Sequence, residues 1–205
     1  MKKFLDLLIS YGFFVIPLFI YELLYILLGY KGNSFTVRSN KNLTDTIPCP
    51  YFFLSKIYGV IKKKNIKSML DLGCGNGRVI DFFNKKKKIK FIGIEFFKDA
   101  SDICEKRFKN DKNINIINKD FFSYDFHKGG HDCYFINDPL KSTTMHNKLM
   151  FKIISAHKKS IRPYYLVFVN VKKTKLKIIS DFILLSSFKI GSRGFFIYSS
   201  TNTSK

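Results

Sequence analysis

The sequence predicts an α/β protein: a doubly wound, mainly parallel sheet of seven strands with an antiparallel hairpin at one edge, preceded by one N-terminal membrane helix. Three observations carry this prediction. Short apolar runs alternate with stretches of helical periodicity from Tyr51 onward. The run "SMLDLGCGNGRVIDFF", Ser68 to Phe83, sets Gly73, Gly75 and Gly77 between one such strand and one such helix. An apolar stretch from Phe4 to Gly29, broken only by Asp6, Pro17 and Glu22, stands in front.

With 205 residues and 46% hydrophobic content, the chain can hold one ordinary domain and an appendage. The appendage is residues 1–30, in which Leu7 to Leu28 is long enough to cross a hydrocarbon core as a single helix. Tyr11 and Tyr30 suit the two interfaces. The run is too long for a signal-peptide core, and no small-x-small cleavage site follows it. A hydrophobic helix lying on the membrane or packed on the domain, with Glu22 facing water, is the alternative. Residues 31–50 are polar and rich in turn formers, and read as a linker.

The domain, residues 51–205, opens with a helix over Tyr51 to Ile61. Strands follow at Lys67 to Asp71, Lys90 to Glu95, Ile114 to Ile117, Asp132 to Ile136 and Tyr164 to Val171. Helices fall at Gly77 to Phe83, Asp99 to Phe108, Ser142 to Lys158 and Lys173 to Leu184. "SSFKIGSRGFFIYSS" then reads as two strands joined by a turn at Gly191 to Gly194.

The net charge of +21 raises nucleic acid as a partner, yet only five of the basic residues are Arg. Phosphate and base-edge recognition favours the planar Arg fork, so a Lys-dominated surface points instead to general attraction for anions, such as a membrane leaflet. "KKK" at Lys62 to Lys64 and "KKKK" at Lys85 to Lys88 precede the first two strands, which places both at the edge opposite the glycines. Cys49, Cys74, Cys104 and Cys133 show no metal-ligand spacing, so reduced thiols and no metal are expected. His127, His131, His146 and His157 are scattered and read as surface or loop residues.

Ligands of such sheets bind at the carboxyl ends of the strands, where "GCGNG" lies. A phosphate loop is excluded, since the terminal GK[ST] is missing. A dinucleotide fingerprint needs GxGxxG, but here the third glycine comes one position early and Arg78 stands where the last would be. An adenosyl ligand without phosphate needs room beside the turn and a carboxylate near its positive charge, and Asp71 is placed for that. Glu95, about twenty residues on, ends the second strand where it can accept ribose hydroxyls. Asp120, after the third strand, can hold an adenine amino group with Phe121 covering the ring; alone, it reads as a turn cap.

These segments together resemble the class I S-adenosylmethionine-dependent methyltransferases: "LDLGCGNG" their first motif, "GIE" their second, "KDF" their third and "FINDPL" their fourth. The resemblance runs from about Tyr51 to Tyr198. It implies a Rossmann-like fold with S-adenosylmethionine as cofactor, contacted by Asp71, Gly73, Gly75, Glu95 and Asp120, with Cys74, Gly77 and Phe121 in the same binding segments. "PCPYFFL" together with the apolar front end looks like a bacterial group related to lysine methyltransferases.

The fourth segment, Asn137, Asp138, Pro139 and Leu140, bears on the acceptor. Enzymes acting on base amino groups carry [DNS]PP followed by an aromatic, and Leu140 offers no stacking face. Asn137 or Asp138 can still align an amine or hydroxyl; both can equally cap the helix from Ser142. The expected protein is thus a single-pass membrane methyltransferase with its catalytic domain on the cytoplasmic side, where S-adenosylmethionine is made. The expected acceptor is a protein lysine or other amine. A saccharide or lipid-linked hydroxyl is the alternative, and a nicotinamide oxidoreductase a further one.

Overall fold

The computed structural model describes residues 12–30, 43, 48–128, 130–160, 162–172 and 182–201. Seven strands form one sheet: β1 (Ser68–Leu72), β2 (Lys90–Glu95), β3 (Ile114–Asn118), β4 (Cys133–Asn137), β5 (Tyr165–Val169), β6 (Phe182–Ile190) and β7 (Arg193–Ser200), in the order β3-β2-β1-β4-β5-β7-β6. β1 to β5 are mutually parallel, while β7 runs antiparallel between β5 and β6. The helices are α1 (Val15–Leu27), α2 (Tyr51–Ile61), α3 (Arg78–Lys86), α4 (Lys98–Phe108) and α5 (Thr143–Ala156).

The strands read as continuous apolar runs because both faces of the sheet are covered. Successive side chains divide between two cores. Met69, Cys133, Phe135 and Val167 join the core beneath α2, α3 and α4, whereas Leu70, Leu72, Tyr134, Ile136 and Leu166 join the one beneath α5. The order of strands reverses between β1 and β4, so a crevice opens outside their carboxyl ends. Lys62 to Lys64 and Lys85 to Lys88 lie at the other edge, as expected.

Three expectations are corrected. Of the helix expected over Lys173 to Leu184, Lys173 to Asp181 lie outside the described residues, and Phe182 to Leu184 open β6, where Phe182 pairs with Ser200. The outermost strand needs that length to cover β7. His131 and His146 are buried, and His157 is half-buried with its ring stacked 3.9 Å from Tyr164; only His127 is exposed. Each buried ring has a polar partner that composition cannot reveal: Tyr124 for His131 at 2.9 Å, Tyr134 for His157 at 2.7 Å, and Asp138 for His146.

The third concerns Glu22, which does not face water. α1 packs along the domain through Val15, Leu18, Tyr21 and Tyr25, with Glu22 on the same face. Its Oε2 accepts from Arg78 Nη1 at 2.7 Å and its Oε1 from the Tyr51 amide at 2.6 Å. Tyr25 adds a hydroxyl pair with Ser55 at 2.7 Å. Pro17 sits in the first turn of α1, where its missing N–H breaks no helical bond. Of the Leu7 to Leu28 span, Leu7 to Tyr11 lie outside the described residues. Among the described residues no helix is long and apolar enough to cross a membrane. Of the linker, Leu43 bridges Leu140 and Cys49 is buried, so at least these residues pack onto the domain.

Candidate active site

The glycine turn is held from below by the neighbouring strand. Gly73 and Cys74 amides both donate to the Ile94 carbonyl, at 2.9 and 3.0 Å, and the Gly75 amide donates to Glu95 Oε2 at 2.8 Å. All three glycines have positive φ, from 53° at Gly75 to 82° at Gly73. Their reasons differ. A Cβ on Gly77 would stand 2.6 Å from Cys104 Sγ and from the Phe108 ring, so this glycine lets α3 and α4 approach. Gly93, beside Asp71 in the sheet, is closed in by Cys74 Sγ and Ile80 in the same way. Cys74 turns its thiol into the core; a hydrogen bond with Cys104, and then burial, push that thiol well above its usual range. Any contact it makes at the site would therefore be through its backbone.

Asp71 is 2% exposed, and its Oδ2 finds no hydrogen-bond partner. Burial, reinforced by the negative charge of Glu95, raises its pKa to about 8. An orphaned carboxyl beside a second carboxylate, in a chain of net charge +21, is a site made for a cation. A bound positive charge would draw the proton off. Cofactor binding at pH 7 is therefore expected to release close to one proton, seen as a calorimetric heat that varies with the buffer's ionisation enthalpy, and Asp71→Asn should remove that dependence.

Glu95 is also buried, and its two oxygens accept from Gly75 and from Phe97, the latter at 2.8 Å. It therefore braces the turn as well as standing where ribose hydroxyls would come. Glu95→Gln presents one acceptor oxygen and a donor to two amides, and is expected to weaken cofactor binding by about 1–3 kcal/mol. Titration calorimetry with circular dichroism checks it; an unfolded variant with intact residual affinity would make Glu95 purely structural.

Asp120 caps a short 3-10 turn through the Phe122 amide at 2.9 Å and remains exposed at the end of β3. Phe121 departs from expectation: its ring is buried in the core with Leu70 and Ile94 rather than open to a ligand. The aromatic face available beside Glu95 belongs to Phe96, 46% exposed. Asn118 Nδ2 ties the strand ends together by donating to the Glu95 and Phe96 carbonyls at 2.9 and 3.0 Å. Sequence reasoning missed Phe96 and Asn118, although an aromatic directly after the acidic strand end was a usable signal.

The fourth segment closes the crevice. Pro139 Cβ lies 3.5 Å from where a Cβ on Gly73 would be, which brings the Asn137–Asp138–Pro139 run against the glycine turn. Asn137 Oδ1 accepts from Asn170 Nδ2 at 3.1 Å. Asp138 and Asn170 are the non-glycine residues with positive φ, 36° and 59°, among those described. Strain of that kind gathers at functional sites. His146 Nε2 lies 3.2 Å from both Asp138 Oδ1 and the Leu140 carbonyl, so α5 fixes the strained carboxylate. Ser142 caps α5 itself through the Met145 amide at 3.1 Å. Arg78, where a dinucleotide turn would have glycine, points away to Glu22 and Cys49 and stacks 4.3 Å over Tyr51. Among the described residues no cluster of three or more His, Cys, Asp or Glu side chains could hold a metal ion.

Residues 69–160 match the methyltransferase-domain family. An RNA methyltransferase from Salinibacter ruber, solved with S-adenosyl-L-homocysteine, is similar in fold at a TM-score of 0.57 and 13% identity, covering 75% of this chain and 93% of that one. A provisionally assigned caffeoyl-CoA O-methyltransferase from Staphylococcus aureus gives 0.58 and 14%, covering 76% and 85%. The provisionally assigned methyltransferase yhhF from Escherichia coli gives 0.59 and 13%, covering 75% and 90%. No curated protein matches the sequence. The fold is that of the class I methyltransferases. Residues 69–160 thus carry a methyltransferase domain, and S-adenosylmethionine is its cofactor.

Proposed function

We propose that the protein is a membrane-associated methyltransferase whose acceptor is a protein lysine or another amine, and whose site opens on the cytoplasmic side. The observation that carries this reading is the strained, His146-braced Asp138 beside the cofactor turn, a carboxylate placed to receive and orient an amine. The cofactor supplies a methyl group already activated on a sulfonium. Asp71 and Glu95 would balance positive charge there, the glycine turn and Phe96 would flank the cofactor, and Asp138 with Asn137 would align the incoming nitrogen. The acceptor must arrive neutral, and Asp138 is placed to accept its proton by hydrogen bond. Leu140 in place of an aromatic weighs against a nucleobase, and identities near 13% to an RNA and an O-methyltransferase carry no substrate across. The apolar run from Phe4 to Gly29 supports membrane association.

The test is transfer from methyl-labelled S-adenosylmethionine by the full chain to a membrane fraction. Methyllysine in the acid hydrolysate of labelled polypeptide is the expected product. Label in extracted lipid or saccharide would favour the hydroxyl alternative, and ribonuclease-sensitive label would overturn both.

A further inference from the structure

The polar side chains of α1, Tyr21, Glu22 and Tyr25, all lie on its docked face, and its outward face is entirely apolar. Ile16, Phe19, Ile20, Leu23, Leu24 and Leu27 are each 47–74% exposed, and between Gly12 and Gly29 every exposed residue is apolar, Pro or Gly. So large a continuous apolar strip marks an interaction surface. Its borders carry the opposite character. Lys85 Nζ donates to the Gly29 carbonyl at 2.7 Å and lies 4.3 Å over the Tyr30 ring, Lys86 lies 5.8 Å over Tyr25, and Lys56 lies 4.9 Å over Phe52. Lysines laid over aromatic rings beside an apolar strip are the arrangement of a headgroup boundary, where stems and rings stay in the apolar layer and ammonium groups reach phosphate.

We infer that α1 seats the enzyme in the plane of an anionic bilayer, inserting its outward face among the acyl chains while its inner face stays docked on the catalytic domain. This rests on the membrane reading above and specifies its mode. α1 as described has 13 residues, about 20 Å at 1.5 Å per residue, against a hydrocarbon core of about 30 Å. A spanning disposition of the same residues would also break the Glu22 bonds to Arg78 and Tyr51 and bury that carboxylate in lipid. In-plane insertion keeps them. The geometry also ties the membrane to the site: Glu22 meets Arg78, the residue directly after the glycine turn, and Gly29 meets Lys85 one α3 length away. α1 therefore runs parallel to α3, and its amino-terminal end points toward the edge where the crevice opens. An acceptor held in or on the same leaflet would meet the cofactor there.

The chain contains no Trp, so single Trp probes can be placed in the full protein. Phe19→Trp and Leu27→Trp on the outward face, and Phe151→Trp on the exposed side of α5 as control, are mixed with phosphatidylglycerol-containing vesicles bearing bromines at defined depths. In-plane seating predicts blue-shifted emission and shallow quenching, at roughly 5–10 Å into the boundary, for both α1 probes and none for Phe151→Trp. Lys-to-Gln changes at Lys56, Lys85 and Lys86 should each weaken vesicle binding about fivefold at low salt. Quenching of Phe19→Trp near the midplane with Leu27→Trp shallow would overturn the inference in favour of a spanning helix, while leaving membrane attachment intact. No vesicle binding by any variant would overturn both. A lipid-independent dimer that Phe19→Asp dissolves would assign the strip to a second copy of the chain and overturn it as well.

Discussion

Replacing Gly75 with Val is expected to weaken S-adenosylmethionine binding by at least about two decades while the domain stays folded. The amide of Gly75 is pinned to Glu95 at 2.8 Å, its φ is 53°, and the residue stands at the apex of the turn between Asp71 and the start of α3. A branched side chain there costs about 1–2 kcal/mol in backbone strain and fills the ligand's approach path. The affinity loss should reach two decades, about 3 kcal/mol. Gly77→Ala is the matched contrast. Its methyl group would meet Cys104 and Phe108 rather than a ligand, so stability should fall by about 1–3 kcal/mol. Urea melts and calorimetry on the two variants separate the roles. Undiminished affinity in the Gly75 variant would remove the turn from the site.

Asp138→Asn should lower methyl transfer about 10²-fold or more and leave cofactor affinity within about threefold, since a positioned proton acceptor contributes in that range. Asn tolerates the positive φ at this position and can still bond His146, so the fold is expected to persist. The measurement is kcat under saturating cofactor beside a binding isotherm. Full activity in the variant would show that position 138 serves only as a strained turn, with alignment of the acceptor falling to Asn137.

Much of the scaffold was legible in the chain. Strand β2 and helix α2 fall where their apolar periodicity puts them, and the glycine spacing located the turn. Asp71, Glu95 and the Asn137–Pro139 run were legible because each ends a strand, and a parallel sheet gathers its strand ends at one edge whatever the details of packing. Phe121 was misread for a local reason: "DFF" offers two rings, and only the packing of the core decides that Phe121 turns inward. Phe96 takes the open place beside Glu95 because β2 ends there, and its ring, edge-on to Phe97 at 5.3 Å, stays 46% exposed.

What the sequence by itself determined is the alternation of strand and helix, the position of the glycine turn and the methyltransferase class of the domain, because these depend on local propensity and on residues close together in the chain. Only the tertiary structure decided the partners of isolated polar residues. Glu22 looked like a stray carboxylate in an apolar run until α1 brought it to Arg78, 56 positions away, and His146 looked like a surface imidazole until α5 packed it beneath Asp138. A buried charge or ring must find its partner through space, and a linear pattern of apolar residues does not encode which of many distant polar groups the fold will bring to it.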